Sequence, residues 1–116
     1  MSKDRKSDAL FKAASKGDLS SVKKLLKQGY PASCIDSLGR TPLHFSILNS
    51  QERCVRYLLT QGADPQAKDQ KHWTPLHAAC SIGNFEISEI LLEVYEQRLV
   101  LSNQQFNYLQ NQQSFF

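Results

Sequence analysis

Apolar residues recur along this chain at helical spacing, in short bursts separated by turn-forming residues. Leu19, Val22, Leu25 and Leu26 fall on one face, with Ser20, Ser21, Lys23, Lys24 and Lys27 on the other. Intervals of three and four are those of an amphipathic helix. Gly29 follows, where a residue of positive φ can close the helix. Leu43, Ser46 and Ile47 form a second, shorter face, and Val55, Leu58 and Leu59 a third. Leu76, Ala79 and Cys80, then Phe85, Ile87, Ile90 and Leu91, predict two more. Each burst is short, so the pattern predicts paired helices rather than one long one.

The bursts share a period. Thr41-Pro42-Leu43-His44 recurs as Thr74-Pro75-Leu76-His77, an offset of 33 residues. Leu10 lies the same distance before Leu43. The tetrapeptide is physically a helix start. Threonine caps the orphan amides of a first turn. Proline suits the first helical position, where its missing N–H costs nothing. Leucine points inward, and histidine sits where its ring can bond the cap. Asp36-Ser37-Leu38-Gly39 supplies turn chemistry before the first copy, and Asp69-Gln70-Lys71-His72 stands before the second. His72 therefore occupies a position that Gly39 fills without strain, at a cost of about 1 kcal/mol if the turn is the same. Ser50 likewise replaces a glycine at the corner between two helices.

Two such tetrapeptides in step are a strong signal. With this period, the chain resembles the ankyrin repeat family over roughly residues 8–95. The resemblance implies an all-α fold, a solenoid of three β-turn/helix/helix units. It divides the chain into a polar arm at residues 1–7, repeats at about 8–39, 40–72 and 73–101, and an atypical tail at 102–116. It also implies a concave binding surface made by the turn tips and first helices. On this sequence the corresponding residues are Leu38, Arg40, Gln70, Lys71, His72 and Trp73, with Leu48-Asn49 and Ser81-Ile82 before the inter-helix corners. Trp73 is the sharpest candidate, since tryptophan is over-represented among interface hot spots. The implied function is non-enzymatic protein–protein interaction, as an adaptor or as a small scaffold subunit of a multi-subunit complex.

The tail departs from the repeat. Tyr95 stands where Gly29 and Gly62 stood, so the last helix is expected to run past its usual stop. Gln and Asn dominate from Asn103 to Gln113. Ser102 and Gln105 match a capping box, with Leu101 and Phe106 as its staple. These residues predict a short separate helix covering the open end of the stack, or a decayed fourth unit. Phe106 and Tyr108 join the candidate partner-binding residues on that basis.

Composition narrows the alternatives. The chain is 41% hydrophobic and 22% charged, ordinary for a globular domain. No apolar run reaches the ~18 residues of a membrane helix, so no membrane insertion is expected. The N-terminus is too polar for a secretory signal. Three cysteines with no tight spacing argue for a reducing compartment, and hence for the cytoplasm or nucleus. His44, His77 and Cys80 invite a metal reading, but the repeat explains all three and no close cysteine pair exists. No phosphate loop and no nucleophile–base pair suggests an enzyme or a cofactor. Net charge is +3, and the first 30 residues carry +5, from eight Lys/Arg against three Asp. A basic face of Lys12, Lys16, Lys23, Lys24 and Lys27 keeps nucleic-acid association open as the alternative function. The aromatic interleaving that stacks bases is missing there.

Overall fold

The computed structural model describes the backbone of residues 5–113 and the side chains of residues 7–101. Among the described residues there are six helices and no strand. They are α1 (Arg5–Lys16), α2 (Leu19–Lys27), α3 (Pro42–Leu48), α4 (Glu52–Thr60), α5 (Pro75–Ser81) and α6 (Phe85–Gln113). The odd-numbered helices form an inner row, α1 on α3 and α3 on α5. The even-numbered ones form an outer row, α2 on α4 and α4 on α6. One core runs between the rows through Leu10, Val22, Leu43, Ile47, Leu58 and Ile87, all fully buried.

Positive φ punctuates the chain with the period of the sequence. The inter-helix corners fall at Gly17, Ser50 and Gly83, with φ of 75°, 54° and 72°. The turn tips fall at Gly39 and His72, at 77° and 64°. At Gly17 the positive φ favours glycine; a Cβ there would displace only the flexible end of the Gln51 side chain of the next unit. Gly39 is held more tightly: besides its positive φ, its Cβ would lie 3.1 Å from the Gln70 backbone nitrogen. Ser50 and His72 adopt the left-handed conformation despite their side chains. Ser50 is exposed, so its side chain is not needed for packing. Ser50→Gly is therefore expected to raise stability by about 0.5–1 kcal/mol, read as a higher urea midpoint at unchanged slope.

Both Thr-Pro-Leu-His stretches close as reciprocal caps. Thr41 Oγ1 accepts from the His44 amide at 3.3 Å, and His44 Nδ1 accepts from the Thr41 amide at 3.1 Å. Thr74 and His77 repeat this at 3.3 and 3.0 Å. The two histidines then differ. An accepting Nδ1 leaves the His44 proton on Nε2, which donates to the Trp73 carbonyl 3.1 Å away in the next unit. His44 is buried, whereas His77, at the end of the inner row, is exposed.

Several details depart from the sequence-based expectations. α1 begins at Arg5, so the last part of the expected arm, residues 5–7, is helical. Cys80 is exposed, and Phe85 is 81% exposed rather than in the core. Cys80 stands where Ala14 and Ile47 are buried in the first two units, and no described residue beyond the third covers it; Phe85 opens an outer helix, a position that is not buried at Leu19 and Glu52 either. The tail contains no separate helix start at Ser102. α6 runs unbroken for 29 residues, about 43 Å at ~1.5 Å per residue. Its continuation past Tyr95 is as expected. The first two outer helices end at glycines of φ 99° and 91°, Gly29 and Gly62. Tyrosine at the third such position supplies no left-handed stop, so the helix propagates through Ser102.

Candidate protein-binding face

The turn tips are built from two aspartates placed one period apart. Asp36 Oδ1 accepts from the amides of Leu38 and Arg40 at 2.9 and 2.8 Å. Its Oδ2 accepts from Arg40 Nε at 2.9 Å and forms an ion pair with the same guanidinium. Asp69 Oδ1 accepts from the amides of Lys71 and Trp73 at 2.8 and 3.0 Å. Burial pushes the Asp36 carboxyl up, but the Arg40 and Leu38 donors outweigh it and hold it below its usual value of 3.8. The Trp73 amide likewise lowers the Asp69 carboxyl. Both shifts mean that the charged form is the one the turn binds.

The two tips are tied to one another. The Gln70 amide donates to the Leu38 carbonyl at 2.9 Å. Gln70 Nε2 donates to the Ser37 carbonyl, also at 2.9 Å. Tips fixed in this way present their side chains in a set order. Leu38, Arg40, Leu48, Gln70, Lys71 and Trp73 line a single groove of about 240 Å³, together with Asp69. Six of the sequence-predicted residues are thus brought together. Leu48 is 39% and Trp73 43% exposed, apolar surface that no packing within the stack demands. Arg40 lies with its guanidinium 4.6 Å from the Phe45 ring centroid, which orients it along the groove wall.

Trp73 also borders a second, shallower groove with Leu76, His77, Cys80 and Ser81. Its ring is tilted 42° against that of His77, with centroids 5.9 Å apart. The indole thus rests on one neighbour and is still 43% exposed. Ser81 lies in this second groove, and Ile82 is 39% exposed at the corner beside it. Asn49 and His72 are exposed but line neither groove. Asn49 donates its side-chain amide to the Phe45 carbonyl. Phe106 and Tyr108 have side chains outside the described residues. Sequence reasoning missed Asp69 as a groove residue. The signal was available: Asp36 and Asp69 are one period apart, each opening a turn.

The basic residues separate. Lys12, Lys16 and Lys24 line a groove at the N-terminal end of the stack with Asp18. Lys23 instead places its ammonium 5.3 Å from the Tyr57 ring centroid. Among the described residues no helix is long and apolar enough to cross a membrane.

The class defined by these paired helices, aspartate-held turns and Thr-Pro-Leu-His caps is an all-α repeat solenoid. The family model for ankyrin repeats (three copies) matches residues 10–103, and the chain belongs to the ankyrin repeat family. Repeats of this family mediate protein–protein interaction. The chain is 34% identical over 83 residues to the human protein phosphatase 1 regulatory subunit 27, covering 71% of this chain and 54% of that protein. It is 37% identical over 90 residues to the 26S proteasome non-ATPase regulatory subunit 10 of Dictyostelium discoideum, covering 76% of this chain and 39% of that one. It is 31% identical over 91 residues to the human SH3 and multiple ankyrin repeat domains protein 2, covering 78% of this chain and 5% of that protein. The chain thus spans about half or less of the length of these relatives.

Proposed function

We propose that the chain is a non-enzymatic adaptor or regulatory subunit that grips a protein partner in the groove between its turn tips. The observation carrying this reading is the convergence of Leu38, Arg40, Leu48, Gln70, Lys71 and Trp73 on one groove. Two of these are exposed apolar anchors, and polar and charged groups rim them. Such a centre and rim is the anatomy of a protein interface. Tips held by Asp36, Asp69 and Gln70 lose little conformational freedom on docking, so less of the contact energy is lost to ordering. Two of the relatives named above are themselves regulatory subunits, which supports the same class of role. The partner belongs to a multi-subunit assembly of the cell interior, and its contact patch carries at least one acidic group to meet Lys71, since Arg40 is already paired with Asp36.

The test is capture of partners on the immobilised chain, their identification by mass spectrometry, and affinity measurement with Trp73→Ala and Leu48→Ser. Truncating an interfacial tryptophan anchor is expected to weaken binding by at least about tenfold. Leu48→Ser is expected to weaken it less. Unchanged affinity in both variants would remove the groove from consideration.

A further inference from the structure

We infer that the outward face of α6 is a second docking seam, and that it takes a basic amphipathic helix from another protein. α6 is apolar on two sides. Ile87, Ile90 and Leu91 are buried against the stack. Leu92, Tyr95 and Leu99 follow one another at intervals of three and four, and are 45%, 36% and 45% exposed. In sequence the same spacing starts at Phe85 and runs through Ser88. A seam repeating every seven residues over this length is the pattern by which one helix receives another.

The repeat itself indicates what shape fits. Leu92 lies 33 residues beyond Leu59. Leu59 is only 7% exposed, and it lines the α4–α6 junction with Ile90 and Val94. One step further along the stack, no described helix covers Leu92. Among the described residues, the face of α6 that corresponds to the α4 face lying under α6 is uncovered, and a helix is the element that fits it. The floor is already formed. Pro65, Thr74, Leu76 and Leu91 enclose a groove of about 140 Å³ beside Leu92 and Tyr95, room for apolar side chains of an incoming helix.

Charge selects the partner. Glu89 and Glu96 flank Leu92 three residues before and four after it, and both are exposed. Arg98 is turned back to the stack, where its guanidinium donates to the Ala63 carbonyl at 3.2 Å. The rim of the seam is thus acidic, and it matches a helix carrying Lys or Arg beside its apolar stripe. Two copies of α6 laid antiparallel would set glutamate against glutamate, which disfavours a second copy as occupant.

The test uses two synthetic peptides of four heptads with leucine along the seam. One carries lysine at the flanking positions and the other glutamate. The full chain is expected to bind the lysine peptide at least tenfold more tightly than the glutamate one. Leu92→Asp together with Leu99→Asp should abolish binding while the chain stays folded by circular dichroism, because both residues are 45% exposed. Glu89→Lys with Glu96→Lys should reverse the charge preference. Trp73→Ala should leave peptide affinity unchanged, which separates this seam from the turn-tip groove. The inference is overturned if neither peptide binds, if Leu92→Asp with Leu99→Asp binds as tightly as the parent, or if the charge swap leaves the preference unaltered. It is overturned equally if sedimentation equilibrium shows a dimer of the chain that Leu92→Asp dissociates, since the occupant is then a second copy.

Discussion

Leu58→Ala is expected to cost about 2–5 kcal/mol of folding free energy, the range for deleting a fully buried leucine from a packed core. Leu58 has no exposed surface and sits in the middle outer helix, α4, which touches α2, α3 and α6. In a stack, each unit is stabilised mainly through its neighbours. A cavity at Leu58 therefore weakens both interfaces of the central unit together. Domains of this kind have about 5–15 kcal/mol in total, so the variant should be close to its stability threshold at 37 °C. Urea unfolding followed by circular dichroism checks this. Leu92→Ala is the matched control. It removes the same side chain from an exposed position and should cost less than about 1 kcal/mol. Equal losses in the two variants would contradict the placement of the core.

His44→Ala is expected to cost about 2–3 kcal/mol, and His77→Ala about 1. Both substitutions break a reciprocal helix cap, worth about 0.5–2 kcal/mol. Only His44 also reaches across to the next unit, through Nε2 to the Trp73 carbonyl. Its removal takes from that carbonyl one of two donors, the other being the Asp69 amide at 3.0 Å, and opens a void at a residue that is 2% exposed. A hydrogen bond of this kind contributes about 0.5–1.5 kcal/mol. The difference between the variants thus reports the bond between repeats together with the buried ring of His44. The same bond positions Trp73, so His44→Ala should also loosen the turn-tip groove. Equal effects at the two positions would mean that this bond contributes nothing.

The repeat, the inner and outer helices and the core were legible because one signal fixed all of them. The offset between the two Thr-Pro-Leu-His stretches aligns Leu10, Leu43 and Leu76, and with them every glycine corner. The groove was legible in its members, since Leu38, Arg40 and Trp73 sit at fixed offsets from the caps. Its mechanism was less so. Asp36 and Asp69 looked like ordinary turn formers, and that they organise the groove depends on hydrogen bonds no pattern displays. The tail misled for a physical reason. Ser102 and Gln105 have the chemistry of a helix start, but a cap acts only where the preceding helix has stopped. With Tyr95 in place of glycine it does not stop, and Ser102 becomes an interior helical position. Cys80 and Phe85 misled for other reasons. Cys80 repeats the buried positions Ala14 and Ile47, but among the described residues nothing follows to cover it, whereas Phe85 takes the first position of an outer helix, which Leu19 and Glu52 leave partly exposed as well.

Photo-crosslinking to the captured partner tests most directly whether the tips of the stack are its grip. Benzoylphenylalanine would replace Leu48 in the groove in one variant, and Arg53, exposed on the outer helix α4, in another. The turn-tip reading predicts a strong crosslink from position 48 and none from position 53. A crosslink from position 53 alone, or equal yields from the two, would contradict it.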